Sequence, residues 1–340
     1  IVQKGLLETN ILVGNTLVDM YAKCSAVAKA RQVFEQLPCR TVVSWNALIS
    51  GYTQCGNGEE ALHCFEQMQQ EGISPDEVTF ICSLQACGSV GAFEKGKEIH
   101  AEVVREGLLE KDILVGTTLV DMYAKCGTLA KAQEVFDHLR RRNVVSWSAL
   151  IAGYVQHGHN EEALNCVRWM QREALSPNAV TFVSILKACG SIGSLNTGGE
   201  IHKEVTKQML LEDNLVLGVA LLDMYAKCGV LVKAQEVFDT LLLIQDVVPW
   251  NALMAGYAQL GHAKEVLNLF NKMMGKAIVP NLVTFLIMLT ACSHAGLVEE
   301  GQALFNDMSI MYQLIPNLEH YMCMVDLFSR SGHFDKAIAV

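Results

Sequence analysis

The hexapeptide Asp-Met-Tyr-Ala-Lys-Cys occurs three times in this chain, at Asp19 to Cys24, Asp121 to Cys126 and Asp223 to Cys228, at intervals of 102 residues. A chain that repeats on a fixed beat folds as an array of like pieces, each packed on its neighbours, rather than around one central core. Val-Val-Ser-Trp keeps the same beat at Val42 to Trp45 and Val144 to Trp147, and returns as Val-Val-Pro-Trp at Val247 to Trp250, one residue late. The delay places a single inserted residue near Leu241 to Gln245. A shorter period runs inside the long one. A Gly followed five residues later by Ala or Gly recurs at Gly56/Ala61, Gly91/Gly96, Gly127/Ala132, Gly158/Ala163, Gly193/Gly198 and Gly229/Ala234, so the repeating piece is about a third of the long interval.

On this frame complete repeats span 11–41, 42–76, 77–112, 113–143, 144–178, 179–214, 215–246, 247–281 and 282–317. Residues 1–10 match the tail of a repeat, and 318–340 begin one that stops inside its second helix. Each repeat reads as two helices. In 113–143, Leu119, Tyr123 and Cys126 follow helical spacing, Gly127 interrupts, and Leu129, Ala132, Val135, Phe136 and Leu139 resume it. Pro75, Pro177 and Pro280 stand where a second helix has already ended. Ser44 and Ser146 are expected to cap first helices, with Pro249 replacing them where a missing N–H is tolerated. No stretch alternates as a strand would. A lone helical hairpin leaves its apolar stripe uncovered, so the expected fold is all-α: a right-handed α-solenoid superhelix of stacked helix-turn-helix repeats. Severed faces at the two ends predict fraying or end-to-end association.

With 51% hydrophobic and 18% charged residues, the composition suits hairpins buried on two sides. No uninterrupted apolar run reaches the ~20 residues that span a bilayer. The twelve cysteines include no Cys-x-x-Cys pair and follow the repeat: Cys24, Cys126 and Cys228 share one place in the frame, Cys87, Cys189 and Cys292 another. Buried structural thiols in a reducing compartment are expected, with no metal site and no cofactor. His100-Ala-Glu102 and His202-Lys-Glu204 match the first half of a zinc deaminase signature, but the Pro-Cys-x-x-Cys half is absent. Both triplets occupy the same place in equivalent repeats, which makes them scaffold. No phosphate loop, nucleophile elbow or paired-carboxylate motif is found, so no catalytic residue is expected in this chain.

The 35-36-31 cycle of repeat lengths, with VVSWNALISGY (42–52), EVTFICSLQACGSVGAFEKGKEIH (77–100) and ILVGTTLVDMYAKCG (113–127), resembles the pentatricopeptide repeat family over the whole chain, in particular its plant subclass of P, L and S repeats. On that resemblance 11–41, 113–143 and 215–246 are S repeats, 42–76, 144–178 and 247–281 are P repeats, and 77–112, 179–214 and 282–317 are L repeats, with a partial L at 1–10 and a partial S at 318–340. Tetratricopeptide arrays share the hairpin, but their Trp-x2-Leu-Gly-x2-Tyr signature is not kept here. A protein-interaction scaffold of that kind is the alternative reading.

The resemblance implies sequence-specific binding of single-stranded RNA in a mitochondrion or chloroplast, one base per repeat, read by the fifth and last residues of each repeat. It assigns Asn46 with Asp76 to U, Thr117 with Asn143 and Ser148 with Asn178 to A, and Asn251 with Asn281 to C. Asn15 with Thr41 departs from the pattern toward a pyrimidine. Ile81, Val183 and Leu286 in the L repeats, and Val219 with Asp246, discriminate poorly. The implied target from residue 11 onward is Y-U-N-A-A-N-N-C-N. Val43, Val145 and Val248, second in their repeats, are candidates to sandwich bases, with core packing as the competing reading. Lys23, Lys125, Lys227 and Arg330, closing first helices, are candidate phosphate contacts, or cations placed against a helix C-terminus. Capping competes with base reading for the Asn, Asp, Ser and Thr positions. The net charge of −10 runs against phosphate-driven binding and implies a shallow salt dependence, with acids such as Glu59, Glu60, Glu161, Glu162, Glu299 and Glu300 segregated onto second helices. The stretch from Ala291 to Gly301, with Glu319 to Tyr321 and Met324 to Asp326, resembles what precedes the family's C-terminal extensions. Members of this subclass serve C-to-U editing or processing of organelle RNA; any deaminase domain would lie beyond residue 340, and other editing-complex proteins would be partners.

Overall fold

From residue 42 onward, each repeat opens with a helix that the residue before it caps. Asp76 accepts the Thr79 N–H at 2.9 Å, and the Thr79 hydroxyl takes the Asp76 N–H at 3.2 Å. This reciprocal capping box satisfies two of the donors that a helix start leaves unpaired. The same box is formed by Thr41 with Ser44, Asn143 with Ser146, Asn178 with Thr181 and Asn281 with Thr284. Ser44 and Ser146 are therefore not the caps expected of them. They are the third residues of their helices and close boxes that Thr41 and Asn143 begin. Pro249 stands in that third place without an N–H, and Asp246 accepts from the Val248 N–H instead, at 2.7 Å.

The computed structural model describes residues 11–211, 214–241 and 245–339; the partial repeat at 1–10 and residues 242–244 of the inserted stretch lie outside them. The described residues form an all-α solenoid of stacked hairpins, without a strand, in two compact blocks, Ile1–Pro177 and Asn178–Val340. The first block holds α1 (Ile11–Lys23), α2 (Val27–Glu35), α3 (Val42–Gln54), α4 (Gly58–Gln70), α5 (Glu77–Val90), α6 (Phe93–Arg105), the short α7 (Leu108–Lys111), α8 (Ile113–Lys125), α9 (Leu129–His138), α10 (Val144–Gln156) and α11 (Asn160–Arg172). The second holds α12 (Ala179–Ile192), α13 (Leu195–Lys207), α14 (Leu215–Lys227), α15 (Leu231–Leu241), α16 (Val247–Gln259), α17 (Ala263–Gly275), α18 (Leu282–Ala295), α19 (Val298–Ile310), α20 (Leu318–Arg330) and α21 (Phe334–Ala339).

Within each block successive first helices pack on one another, and each second helix packs on its own first helix and on the next. First helices are consequently the more deeply buried. In α5 eight residues are buried, from Thr79 to Gly88, against only Gly96, Ile99 and Val103 in α6. The acids expected on second helices, Glu59, Glu60, Glu161, Glu162, Glu299 and Glu300, lie in the first turns of α4, α11 and α19, where negative charge favours the helix dipole. Junctions between repeats carry aromatic pairs. Phe34 meets Trp45 and Phe136 meets Trp147 edge-on at 4.5 Å, and Phe238 meets Trp250 at 4.8 Å; such pairs add about 0.5–1.5 kcal/mol beyond their buried area.

The recurring hexapeptide is explained residue by residue. Asp121 pairs with Lys125 at 2.7 Å. Met122 fills the space over Gly96, where a Cβ would stand 2.6 Å from its sulfur. The Tyr123 hydroxyl bonds His100 Nδ1 at 2.9 Å. Ala124 abuts Gly153 of the next first helix, the Lys125 stem crosses Gly88, and Cys126 Sγ lies 3.8 Å from the Cys87 carbonyl oxygen. The copy at 223–228 repeats all six contacts with Lys227, Gly198, His202, Gly256, Gly190 and Cys189. His100 and His202 are thus bonded scaffold. Burial holds both below the usual histidine range, further lowered by Lys131 and Lys233, so they are neutral at pH 7.

Candidate functional site

The residues fifth in a repeat and last in a repeat meet wherever a block contains both and both are polar amides or acids. Asn46 Nδ2 donates to Asp76 Oδ1 at 2.8 Å, and Asn46 Oδ1 accepts the Thr79 hydroxyl at 2.6 Å. Asn251 Nδ2 donates to Asn281 Oδ1 at 3.1 Å, and Asn251 Oδ1 accepts the Thr284 hydroxyl at 2.8 Å. Two triangles thus recur 205 residues apart in the chain, from Asn46 to Asn251. In each, the capping bond falls on one side-chain atom. Thr79 N–H and Asn46 Nδ2 both reach Asp76 Oδ1, and Thr284 N–H and Asn251 Nδ2 both reach Asn281 Oδ1. Asp76 keeps acceptor capacity on Oδ2, whereas Asn281 keeps the two protons of its Nδ2. Capping and display of a polar edge are therefore simultaneous in these side chains.

Burial alone would push the Asp76 carboxyl up. Hydrogen bonds from the Thr79 N–H, the Asn46 amide, the Thr79 hydroxyl and the Val78 N–H together hold it below the usual carboxylate range. It is an anion at neutral pH. In the 113–143 repeat Thr117 is 6% exposed and its hydroxyl has no partner, while Asn143 caps α10 through Oδ1 at 2.8 Å. Asn15 Oδ1 is likewise buried without a partner, and Thr41 caps α3. Ser148, equally buried, donates to the Val144 carbonyl at 2.6 Å, and Asn178 caps α12. Ile81, Val183, Val219 and Leu286 occupy the fifth place half-buried. Beside Val219 the surface opens into a cavity of about 310 Å³ lined by Val183, Val216, Val219, Val248, Lys187 and Asp223 among others.

Val43, Val145 and Val248 are 58%, 54% and 46% exposed, so they do not pack in the core. The same is true of the second residue in the other repeats. Leu12, Val78 and Leu114 in the first block, and Val180, Val216 and Val283 in the second, are all at least half exposed. Sequence reasoning singled out three of these nine aliphatics. The signal for the rest, an aliphatic residue second in every complete repeat, was present in the frame. Large side chains held in water at a fixed register form a ladder of apolar rungs, spaced by the repeat.

Each candidate phosphate contact is matched by an acid one helical turn earlier. Lys23 pairs with Asp19 at 2.8 Å, Lys125 with Asp121 and Lys227 with Asp223 at 2.7 Å, and Arg330 with Asp326 at 2.8 Å. Exposed pairs of this type contribute roughly 0.3–0.5 kcal/mol to a helix. Their larger effect is to cancel the cation's field. Cys87, Cys166 and Cys189 are buried, and burial pushes each thiol up to about 12; Cys24 and Cys39 are exposed. Among the described residues no cluster of three His, Cys, Asp or Glu side chains could hold a metal ion, and no helix is long and apolar enough to cross a membrane.

This architecture has known counterparts. A model of the PPR repeat family matches residues 40–89, 142–191 and 245–294, and a model of the PPR repeat matches 117–144 and 283–310. Pentatricopeptide repeat-containing protein At2g33680 of Arabidopsis thaliana is 40% identical over 337 residues, covering 99% of this chain and 46% of that protein. Pentatricopeptide repeat-containing protein CRR2, chloroplastic, of Arabidopsis thaliana is 42% identical over 327 residues, covering 94% of this chain and 49% of that protein. The chain thus spans about half the length of these relatives. Among solved structures, the pentatricopeptide repeat protein PPR10 in complex with an 18-nt psaJ RNA element superposes with a TM-score of 0.74 at 18% identity, over 92% of this chain and 47% of that one.

Proposed function

The chain belongs to the pentatricopeptide repeat family, and on that footing we propose that it binds single-stranded RNA in a sequence-specific manner, one base per repeat. The observation that carries this reading is the pair of triangles at Asn46 and Asn251. In both, helix capping consumes one polar atom of the last residue and leaves another of defined character. Asn46 offers a remaining Nδ2 proton and Asp76 an acceptor, which complements the O4 and N3–H of uracil. Asn251 and Asn281 offer only donors, which complements the N3 and O2 acceptors of cytosine. Thr117 supplies an unpaired hydroxyl able to accept the adenine amino group, and Asn143 a free amide donor for an adenine ring nitrogen.

The exposed aliphatic ladder supports sandwiching of successive bases, since such contact excludes water from both faces of a base without reading its edge. At Val219 the slot between Val216 and Val248 is apolar, and a base there meets no donor or acceptor from the fifth place. The target proposed is Y-U-N-A-A-N-N-C-N, 5′ to 3′ from the repeat at 11–41, with N at the repeats of Ile81, Val183, Val219 and Leu286. The assignment of P, L and S repeats, a role in C-to-U editing or processing, and an organellar setting belong to the same proposal. Support for the setting comes from relatives whose names include chloroplastic or mitochondrial.

Because Lys23, Lys125, Lys227 and Arg330 are each offset by an Asp, phosphate contact displaces one anion for another and releases few counterions. A shallow slope of log affinity against log salt follows. The test is binding to a nine-nucleotide RNA of the proposed sequence, and to versions changed at single positions. Asn46→Thr should move the preference at the second nucleotide from U toward G. Tight binding with no base preference and a steep salt slope would refute the reading; absence of RNA binding would favour the protein-scaffold alternative.

A further inference from the structure

We infer that Thr79 and Thr284 are positioning residues that set which edge of Asn46 and Asn251 is shown to the RNA; the inference rests on the base-reading proposal and deepens it. Both threonines are fully buried. Each hydroxyl receives the N–H of the capping residue, Asp76 at 3.2 Å or Asn281 at 3.1 Å. Of the two acceptors within reach of its single proton, the preceding repeat's amide oxygen is the nearer, Asn46 Oδ1 at 2.6 Å against Asp76 Oδ1 at 2.9 Å, and Asn251 Oδ1 at 2.8 Å against Asn281 Oδ1 at 3.1 Å. An amide is nearly symmetric in shape and opposite in polarity at its two ends. Tying down the oxygen therefore commits the nitrogen to the last residue and to the groove.

The other repeats supply the contrast. Ser44 and Ser146 hold the same third place, but their hydroxyls donate to the carbonyls of their own capping residues, Thr41 at 2.8 Å and Asn143 at 2.9 Å. The preceding fifth residues, Asn15 and Thr117, are left with an unpaired buried oxygen. Threonine is the stiffer side chain, held to few χ1 rotamers by its β-branch. In the third copy Pro249 replaces the serine, and in the same copy the fifth residue becomes Val219. Ile81 and Val183 are likewise followed by Val115 and Leu217 in the third place. A hydroxyl in that place accompanies a polar fifth residue, and both disappear together.

Without its hydroxyl partner the buried Asn251 oxygen is unsatisfied, and rotation of the amide turns an acceptor toward the base. At Asn46 this rotation is opposed by the Asp76 carboxylate, which would then face Oδ1. At Asn251 the opposing group is only the neutral Asn281 oxygen. Thr284→Val should therefore reduce the C-over-U preference at the eighth nucleotide by about 5- to 10-fold, and Thr79→Val the U-over-C preference at the second by about 2- to 3-fold, from the range expected for one hydrogen bond.

The experiment measures binding of the wild-type chain and both variants to the nine-nucleotide RNA with U or C at the second or eighth position. Ser146→Ala serves as control, since it removes the same capping-box bond, which runs only to the Asn143 backbone, without removing a hydrogen bond to a base-reading side chain. It should lower thermal stability as Thr284→Val does, yet leave the A preference at the fourth nucleotide intact. Each Thr variant should change selectivity only at its own nucleotide. If wild type discriminates and Thr284→Val discriminates equally, or loses affinity evenly for all RNAs, the positioning role is overturned. If wild type itself fails to discriminate at these nucleotides, the base-reading proposal fails instead.

Discussion

On the base-reading proposal, Asp76→Asn should move the preference of its repeat from uracil to cytosine while leaving the helix it caps in place. Asn is as good a cap as Asp, and Asn143 and Asn281 already cap α10 and α18 with the same box, so stability should change by a few tenths of a kcal/mol. The effect on RNA is larger. Asp76 Oδ2 is an ionised acceptor, and hydrogen bonds to charged groups contribute about 1.5–3 kcal/mol. Because the carboxylate is half-buried rather than enclosed, the lower end applies, which is about 10-fold in affinity for uracil. In its place the variant presents an Nδ2 donor, as Asn281 does beside Asn251. Cytosine gains a neutral hydrogen bond of about 1 kcal/mol, roughly 5-fold. The U-to-C ratio at the second nucleotide should therefore fall by about 50-fold. Fluorescence anisotropy competition at fixed salt, with RNAs differing only at that nucleotide, measures it. A ratio that stays put in a variant with wild-type melting would show that Asp76 only caps, and the donor–acceptor reasoning would fall with it.

Ser25 holds φ 58°, where the other two copies of the turn place Gly127 and Gly229; Ser25→Gly should stabilise the chain by about 1 kcal/mol, read as a higher Tm. Gly153→Ala should destabilise by about 1–3 kcal/mol in chemical denaturation, because its methyl would collide with the Cβ of Ala124. His100 and His202 are depressed below the unfolded value by burial, so the unfolded chain takes up protons first on acidification. Stability should be full above about pH 6.5 and decline below it until the folded-state pKa is passed, and the double variant His100→Gln, His202→Gln should show a flatter melting profile between pH 7 and 5. A thiol reagent at pH 8 should modify Cys24 and Cys39 rapidly, with Cys87, Cys166 and Cys189 protected until denaturant is added; modification of all twelve at one rate would contradict the buried thiols.

The helical hairpins were legible because glycines and prolines punctuate them and because the hexapeptide gives a count that no insertion disturbs before Leu241. The caps were less so. Thr41 and Ser44 are both capping residue types three positions apart, and in a capping box either could be the first member; only the backbone, extended at Thr41 with φ −117° and ψ 169°, tells them apart. The exposed aliphatics were half hidden for a different reason. Leu12 and Leu114 look like core residues, and exposure at the second position depends on the open side of the first-helix layer, which periodicity does not reveal. The positioning role proposed for Thr79 and Thr284 was invisible in the sequence. In sequence they are indistinguishable from Thr181 or from the serines, and their role depends on where one proton points.

The contacts of the hexapeptide have a bearing on how such a chain can lengthen. Met122 needs the glycine of the second helix before it, and Ala124 needs the glycine of the first helix after it, so a repeat of this type is shaped on both sides by neighbours of two other types. Copying one hairpin would set a methionine against a side chain with no room for it. Copying three at once reproduces every seam. The inheritable module is therefore the triplet, and on the one-base-per-repeat reading proposed above each duplication event would enlarge the recognised text by three letters, those beneath Ile81, Val183, Val219 and Leu286 being left blank.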